Sequence, residues 1–129
     1  MDTPERKLAR ASINWSDKLT LFYRQLLRQF DVKPKKSLGQ HFLIDETVLE
    51  RILSAADISP GDIVVEVGPG LGILTEGLAK QGAQVIAVEL DSKLVALLKR
   101  RLAAFPDVEI IHADILKVTP RQILQNKLA

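Results

Sequence analysis

The spacing of apolar and polar positions changes twice along the 129-residue chain. From Asp17 to Phe30, in DKLTLFYRQLLRQF, the residues Leu19, Phe22, Tyr23, Leu26, Leu27 and Phe30 share one helical face, while Lys18, Arg24, Gln25 and Arg28 fall largely off it. The spacing predicts an amphipathic helix over 17–30, an N-terminal extension that packs on the rest of the chain. KPKK at 33–36 breaks that pattern as a flexible basic connector. SLGQHFLID at 37–45 is mixed and without clear period. A second helix is expected from Asp45, which can serve as its N-cap, through apolar positions 48, 49, 52 and 56. SPGD at 59–62 then makes a turn.

After residue 62 short apolar runs alternate with helical stretches. IVVEV (63–67), AQVIAVEL (83–90) and a run around 108–112 read as strands. Between them, 73–81 reads as a helix with Gly82 as C-cap, and 91–105 as a helix capped by Asp91. KVTPRQILQNKLA allows another helix to begin near Pro120. Such alternation implies βαβ units, and hence an α/β fold with a parallel sheet and helices on both faces. Right-handed crossovers put the first strand central, the second beside it and the third outermost, which is half of a doubly wound, Rossmann-like sheet.

Composition narrows the function classes. Apolar residues at 47% and charged residues at 26% suit a folded globular chain. Cysteine is absent, which excludes disulfides and thiolate metal sites. No apolar run is long enough to span a bilayer, and MDTPERKLARAS lacks the apolar core of a secretory signal. A cytoplasmic protein with no membrane partner and no metal is the expectation. The net charge of +2 hides an asymmetry: residues 1–43 carry nine Lys or Arg against four Asp or Glu, and residues 44–129 carry nine against twelve. A basic arm beside an acidic body suits a polyanion such as RNA, and equally suits a solvated basic helix.

The candidate chemistry begins at VVEVGPGLG, 64–72. Glycines at 68, 70 and 72 let the backbone turn sharply at the end of a strand and let a ligand approach where a Cβ would collide. The helix that follows aims unpaired N–H groups at an anionic ligand end. A dinucleotide fingerprint, G-x-G-x-x-G, needs its third glycine at 73, where this chain has Ile73, so the match is partial. A phosphate-binding Walker A loop is excluded, because no Gly-Lys-Ser/Thr follows. Glu89, which closes the second strand 21 residues past Gly68, can accept both hydroxyls of a ribose.

Glu66 through Gly72, E-x-G-x-G-x-G, resembles motif I of class I S-adenosylmethionine-dependent methyltransferases. SLGQHFLID, with EVGPGLGILT and HADIL in order after it, is more specific. It resembles the ribosomal RNA adenine N6-dimethyltransferases, which dimethylate two adjacent adenines near the 3′ end of small-subunit rRNA, with the erythromycin-resistance methylases of large-subunit rRNA as close relatives. The resemblance covers residues 33 to about 118. It implies S-adenosylmethionine as cofactor, small-subunit rRNA or the immature small ribosomal subunit as partner, and His41, Leu43, Gly68, Gly70, Glu89 and Asp114 as cofactor contacts. Within it Asp114 would meet the adenine amino group, and Lys33, Lys35 and Lys36 the RNA-facing entrance.

The catalytic signature of that family, Asn-Leu/Ile-Pro-Tyr, is missing; Asn126, the last Asn, is followed by Lys-Leu-Ala. The expectation is therefore an N-terminal extension at 1–32, then the N-terminal half of a methyltransferase domain at 33–129. No methyl transfer is expected from this chain alone. A first strand with an unpaired edge and uncovered apolar surface should make it marginally stable or self-associating. Two other readings remain open: a noncatalytic RNA- or ribosome-binding module, and an NAD-dependent oxidoreductase fragment.

Overall fold

Side-chain oxygens set most of the helix starts. A computed structural model describes residues 15–31 and 45–125, in the order α1 (Trp15–Gln29), α2 (Glu46–Ala56), β1 (Ile63–Val67), α3 (Ile73–Lys80), β2 (Gln84–Glu89), α4 (Ser92–Arg101), β3 (Val108–His112) and α5 (Pro120–Leu124). Asp45 caps α2 by accepting from the Thr47 and Val48 amides, and Asp91 caps α4 by accepting from Lys93 and Leu94. Thr119 and Gln122 form a capping box with Pro120 in the first turn of α5. α3 differs, since its N-cap is Gly72 and no side chain caps it.

The three strands are parallel, in the order β1-β2-β3. Val64 lies beside Val85 and Val65 beside Ile86, while Val85 lies beside Val108 and Val88 beside Ile111. Because side chains alternate along a strand, this register separates two faces. On one, Val85 packs with Leu78 and Ala83, and Leu53, Ile58, Val64, Leu74 and Val108 close around them, so α2 and α3 cover it. On the other, Ile86 and Val88 meet Ile123 of α5, with Ile111, Ile115 and Val118 at the margin. A third cluster joins Leu71 and Ile73 to Leu94 and Leu97 of α4, and receives Leu26, Leu27 and Phe30 from the end of α1.

Leu71, Leu94, Leu97 and Leu98 are at most 1% exposed. Each such side chain contributes about 2 kcal/mol by burial, against under about 1 kcal/mol for an exposed ion pair such as Lys93 with Asp31. Apolar packing around α4, more than charge, therefore holds the helical layer in place.

One expectation needs correction. Phe22, placed by spacing on the packing face of α1, is half exposed, while Leu26, Leu27 and Phe30 pack against the cluster of Leu71, Ile73, Leu94 and Leu97. The uncovered apolar surface expected at the first strand is present: Ile63, Val65 and Val67 are 39%, 38% and 57% exposed. Their neighbours Ile86 and Val88 lie under Ile123, and that five-residue helix does not reach across to β1. Among the described residues β1 has no strand on its outer edge.

Candidate ligand site at the carboxyl end of the sheet

Beyond β1 the ladder continues for one residue, as the Gly68 amide donates to the Val88 carbonyl at 3.0 Å. The chain then reverses: Gly72 N–H donates to Pro69 C=O at 2.9 Å, with Gly70 at φ +59 and Leu71 on the ordinary negative side. That is the φ pattern of a type II′ turn, which glycine adopts without steric cost.

The three glycines do different work. A Cβ built on Gly68 meets nothing within 4 Å, so the space above it is open. At Gly72 a Cβ would lie 2.8 Å from Leu98 Cδ2 and 3.0 Å from Leu102 Cδ1. Gly72 thus lets the start of α3 pack against α4, and the expectation that it admits a ligand is corrected.

The first helical bond of α3 runs from Glu76 N–H to Gly72 C=O. The amides of Gly70, Leu71, Ile73, Leu74 and Thr75 find no acceptor among the described residues, as the start of a helix requires. Beside them lies a cavity of about 160 Å³ lined by Glu66, Val67, Gly68, Pro69, Leu71, Ile73 and Leu74. The Glu66 carboxylate accepts from Thr75 Oγ1 at 2.5 Å, tying β1 to α3. Burial pushes the Glu66 carboxyl above its ordinary range, with the Thr75 hydrogen bond opposing that shift.

Glu89 ends β2 and is only 5% exposed. Its Oε2 accepts from the Asp91 amide at 2.9 Å, and Oε1 has no donor among the described residues. Helix capping falls to Asp91, which leaves the Glu89 carboxylate partly available. The Ala113 amide donates to the Glu89 carbonyl, and a His112 ring nitrogen lies 3.0 Å from the Leu90 carbonyl, so β3 ends level with β2. Asp114 follows; its Oδ1 accepts from Leu116 N–H and caps a 3₁₀ turn at Ile115–Lys117. One oxygen of Asp114 is therefore structural, a use that its position in HADIL did not suggest.

Gly68, Gly70, Glu89 and Asp114 thus gather at the carboxyl ends of three adjacent parallel strands. His41 and Leu43, like Lys33, Lys35 and Lys36, lie outside the described residues. Two residues of the region were not legible locally: Thr75, nine positions from Glu66, and Arg101, which reaches back 30 positions to Leu71. Among the described residues no cluster of His, Cys, Asp or Glu could hold a metal ion, and no helix is long and apolar enough to cross a membrane.

Residues 32–129 match the family model described as ribosomal RNA adenine dimethylase. The chain belongs to that family. Ribosomal RNA small subunit methyltransferase A of Dehalococcoides mccartyi is 54% identical over 101 residues, covering 78% of this chain and 35% of that protein. The chain thus spans about a third of the length of the curated relatives it matches. Among solved structures, the 23S rRNA methyltransferase ErmE superposes with a TM-score of 0.58 at 38% identity, over 62% of this chain and 33% of that one. A dimethyladenosine transferase from Plasmodium falciparum gives 0.57 at 33% identity, over 61% of this chain and 30% of the other. The three-stranded parallel sheet with its helices is accordingly the α/β, Rossmann-like fold of these methyltransferases, in part.

Proposed function

We propose that this chain carries the S-adenosylmethionine site of an rRNA adenine N6-dimethyltransferase that acts on two adjacent adenines near the 3′ end of small-subunit rRNA. The observation that carries the reading is the pairing of a buried, half-satisfied Glu89 carboxylate with the open space over Gly68, on neighbouring strand ends. A ribose diol donates two hydrogen bonds and suits the carboxylate; the bare backbone at Gly68 leaves room for the ligand's body. The amides of the turn and of the first turn of α3, which have no acceptor among the described residues, suit its carboxylate end. Gly70 contributes to that turn, Asp114 keeps one oxygen for the adenine amino group, and His41 and Leu43 complete the set. When bound, the cofactor supplies an electrophilic methyl group on a sulfonium.

The same reading divides the chain into a helical extension at 1–32 and a cofactor-binding part at 33–129, supported by the start of the family match at residue 32. Its partner is small-subunit rRNA in an immature, cytoplasmic subunit, approached by the basic residues of 1–43. Calorimetric titration tests the cofactor assignment. S-adenosylmethionine should bind, NAD should not, and Glu89→Gln should weaken the methyl donor by about 10- to 100-fold, the loss of a charge-assisted hydrogen bond or two. Tight binding of NAD with no response to the methyl donor would overturn it.

A second reading is a noncatalytic RNA-binding module, which the nine Lys or Arg against four Asp or Glu in residues 1–43 would suit as well. Incubated with immature small subunits and labelled methyl donor, the purified chain should transfer no label; measurable adenine methylation would exclude the module and supply the activity to this chain.

A further inference from the structure

Arg101, the last residue of α4, turns its side chain inward, and it is 13% exposed. Its Nε donates to the Leu71 carbonyl at 2.6 Å, and its Nη1 pairs with Glu76 Oε2 at 3.0 Å. Glu76 is held in turn by Lys80 at 3.3 Å along α3. Burial pushes the Glu76 carboxyl up, but the Arg101 hydrogen bond and charge, with Lys80, outweigh burial and hold it below its ordinary value. One planar, rigid fork therefore binds three elements: α4 that carries it, the turn after β1, and the first turn of α3.

The carbonyl it grips is the critical one in that turn. Leu71 lies between Gly70 at φ +59 and Gly72 at φ +79, the residues whose backbone is least restrained by side chains. The turn's internal tie is the single Gly72-to-Pro69 bond. Pinning the Leu71 carbonyl fixes the plane of the Leu71–Gly72 peptide, whose own amide closes the turn on Pro69, and so steadies the neighbouring amides of Gly70, Leu71 and Ile73, which have no acceptor among the described residues, beside the 160 Å³ cavity.

We propose that Arg101 is a positioning residue for the methyl-donor site: it holds the Pro69–Gly72 turn in its ligand-ready shape from the outer side, without touching the ligand. The proposal rests on the cofactor assignment made above. It predicts a separation of two effects that a purely structural ion pair would keep together. Arg101→Lys keeps a cation for Glu76 but lacks the fork that also reaches Leu71; Arg101→Met removes both.

The test uses the full 129-residue chain and its two variants. Affinity for S-adenosylmethionine is read by calorimetry, the thermal midpoint without ligand by circular dichroism, and the amide resonances of Gly70 and Gly72 by NMR, with Gly61 as a distant reference glycine. Both variants should bind the methyl donor about 10-fold or more weakly. Arg101→Lys should regain most of the midpoint lost by Arg101→Met while its affinity stays low, and the Gly70 and Gly72 signals should shift or broaden in both as Gly61 holds. Unchanged affinity in Arg101→Lys, or affinity that recovers in step with the midpoint, overturns the proposal. If the parent chain itself binds no methyl donor, the cofactor assignment fails. The glycine resonances of the ligand-free variants then decide the positioning role alone, and unchanged Gly70 and Gly72 signals reject it.

Discussion

The two faces of the sheet share a register but not a covering. Val64, Val85 and Val108 lie beneath α2 and α3, with α4 packed alongside, and residues there such as Val85 and Leu97 are fully buried. On the opposite face only Ile86 and Val88 are sealed, under Ile123, while Val65 and Val67 beside them stay open to solvent. The same residue type is thus a core residue on one strand and a surface residue on the next. Burial, and not apolarity, decides its contribution to stability, because the hydrophobic gain scales with the area removed from water.

The largest effect should come from the closed face. Leu97→Ala removes a side chain at 0% exposure from the cluster that joins α1, α3 and α4, and should cost about 2–5 kcal/mol. Val67→Ala, at 57% exposure, should cost under about 1 kcal/mol. Urea unfolding of both variants checks this, and comparable costs would erase the distinction between the faces.

A smaller effect on stability, but a visible one on association, is expected from the open face. Ile63, Val65 and Val67 form an apolar strip along a strand edge that has no partner among the described residues. Such an edge invites pairing with a second copy, and charge on it discourages that. Val67→Lys should therefore change stability by no more than about 0.5 kcal/mol while shifting sedimentation toward the monomer. No shift in sedimentation would show that the strip is innocuous.

The smallest effect concerns pH. The folded pKa of Glu66 lies above its ordinary value near 4.5, so its contribution to stability is complete below about 4.5 and is lost as pH rises through the folded pKa. Glu66→Gln keeps an acceptor for Thr75 and cannot ionise. The urea midpoint of this variant should gain on that of the parent chain as pH rises from about 4.5 toward neutral. Glu76 behaves oppositely: its pKa is lowered, so its contribution is present above its unfolded value and is lost as pH falls. A parallel pH profile for the Glu66→Gln and parent chains would show that burial leaves Glu66 untaxed.

Much of this was legible in the amino-acid order. The strands at 63–67 and 108–112, the caps at Asp45 and Asp91, the helix starting at Pro120 and the parallel arrangement follow from periodicity and from capping chemistry, which are local. So was the placing of Gly68, Glu89 and Asp114 at one end of the sheet, because a βαβ chain must deliver successive strand ends to one edge. Local signals could not tell Gly72 from Gly68. Both sit in one glycine run, yet only the packing of Leu98 and Leu102 makes one a spacer and leaves the other facing open space.

What the sequence by itself determined is the alternation of elements, their capped starts, the glycine turn and the family to which these motifs belong. All are carried by residues within a few positions of one another. The tertiary structure alone decided which of two apolar strands is core, which oxygen of Asp114 is spent on a cap, and that Arg101 grips a carbonyl 30 residues earlier. These are contacts between segments distant along the chain. Local periodicity has no access to them, since they depend on which surfaces the folded layers bring within a few ångströms.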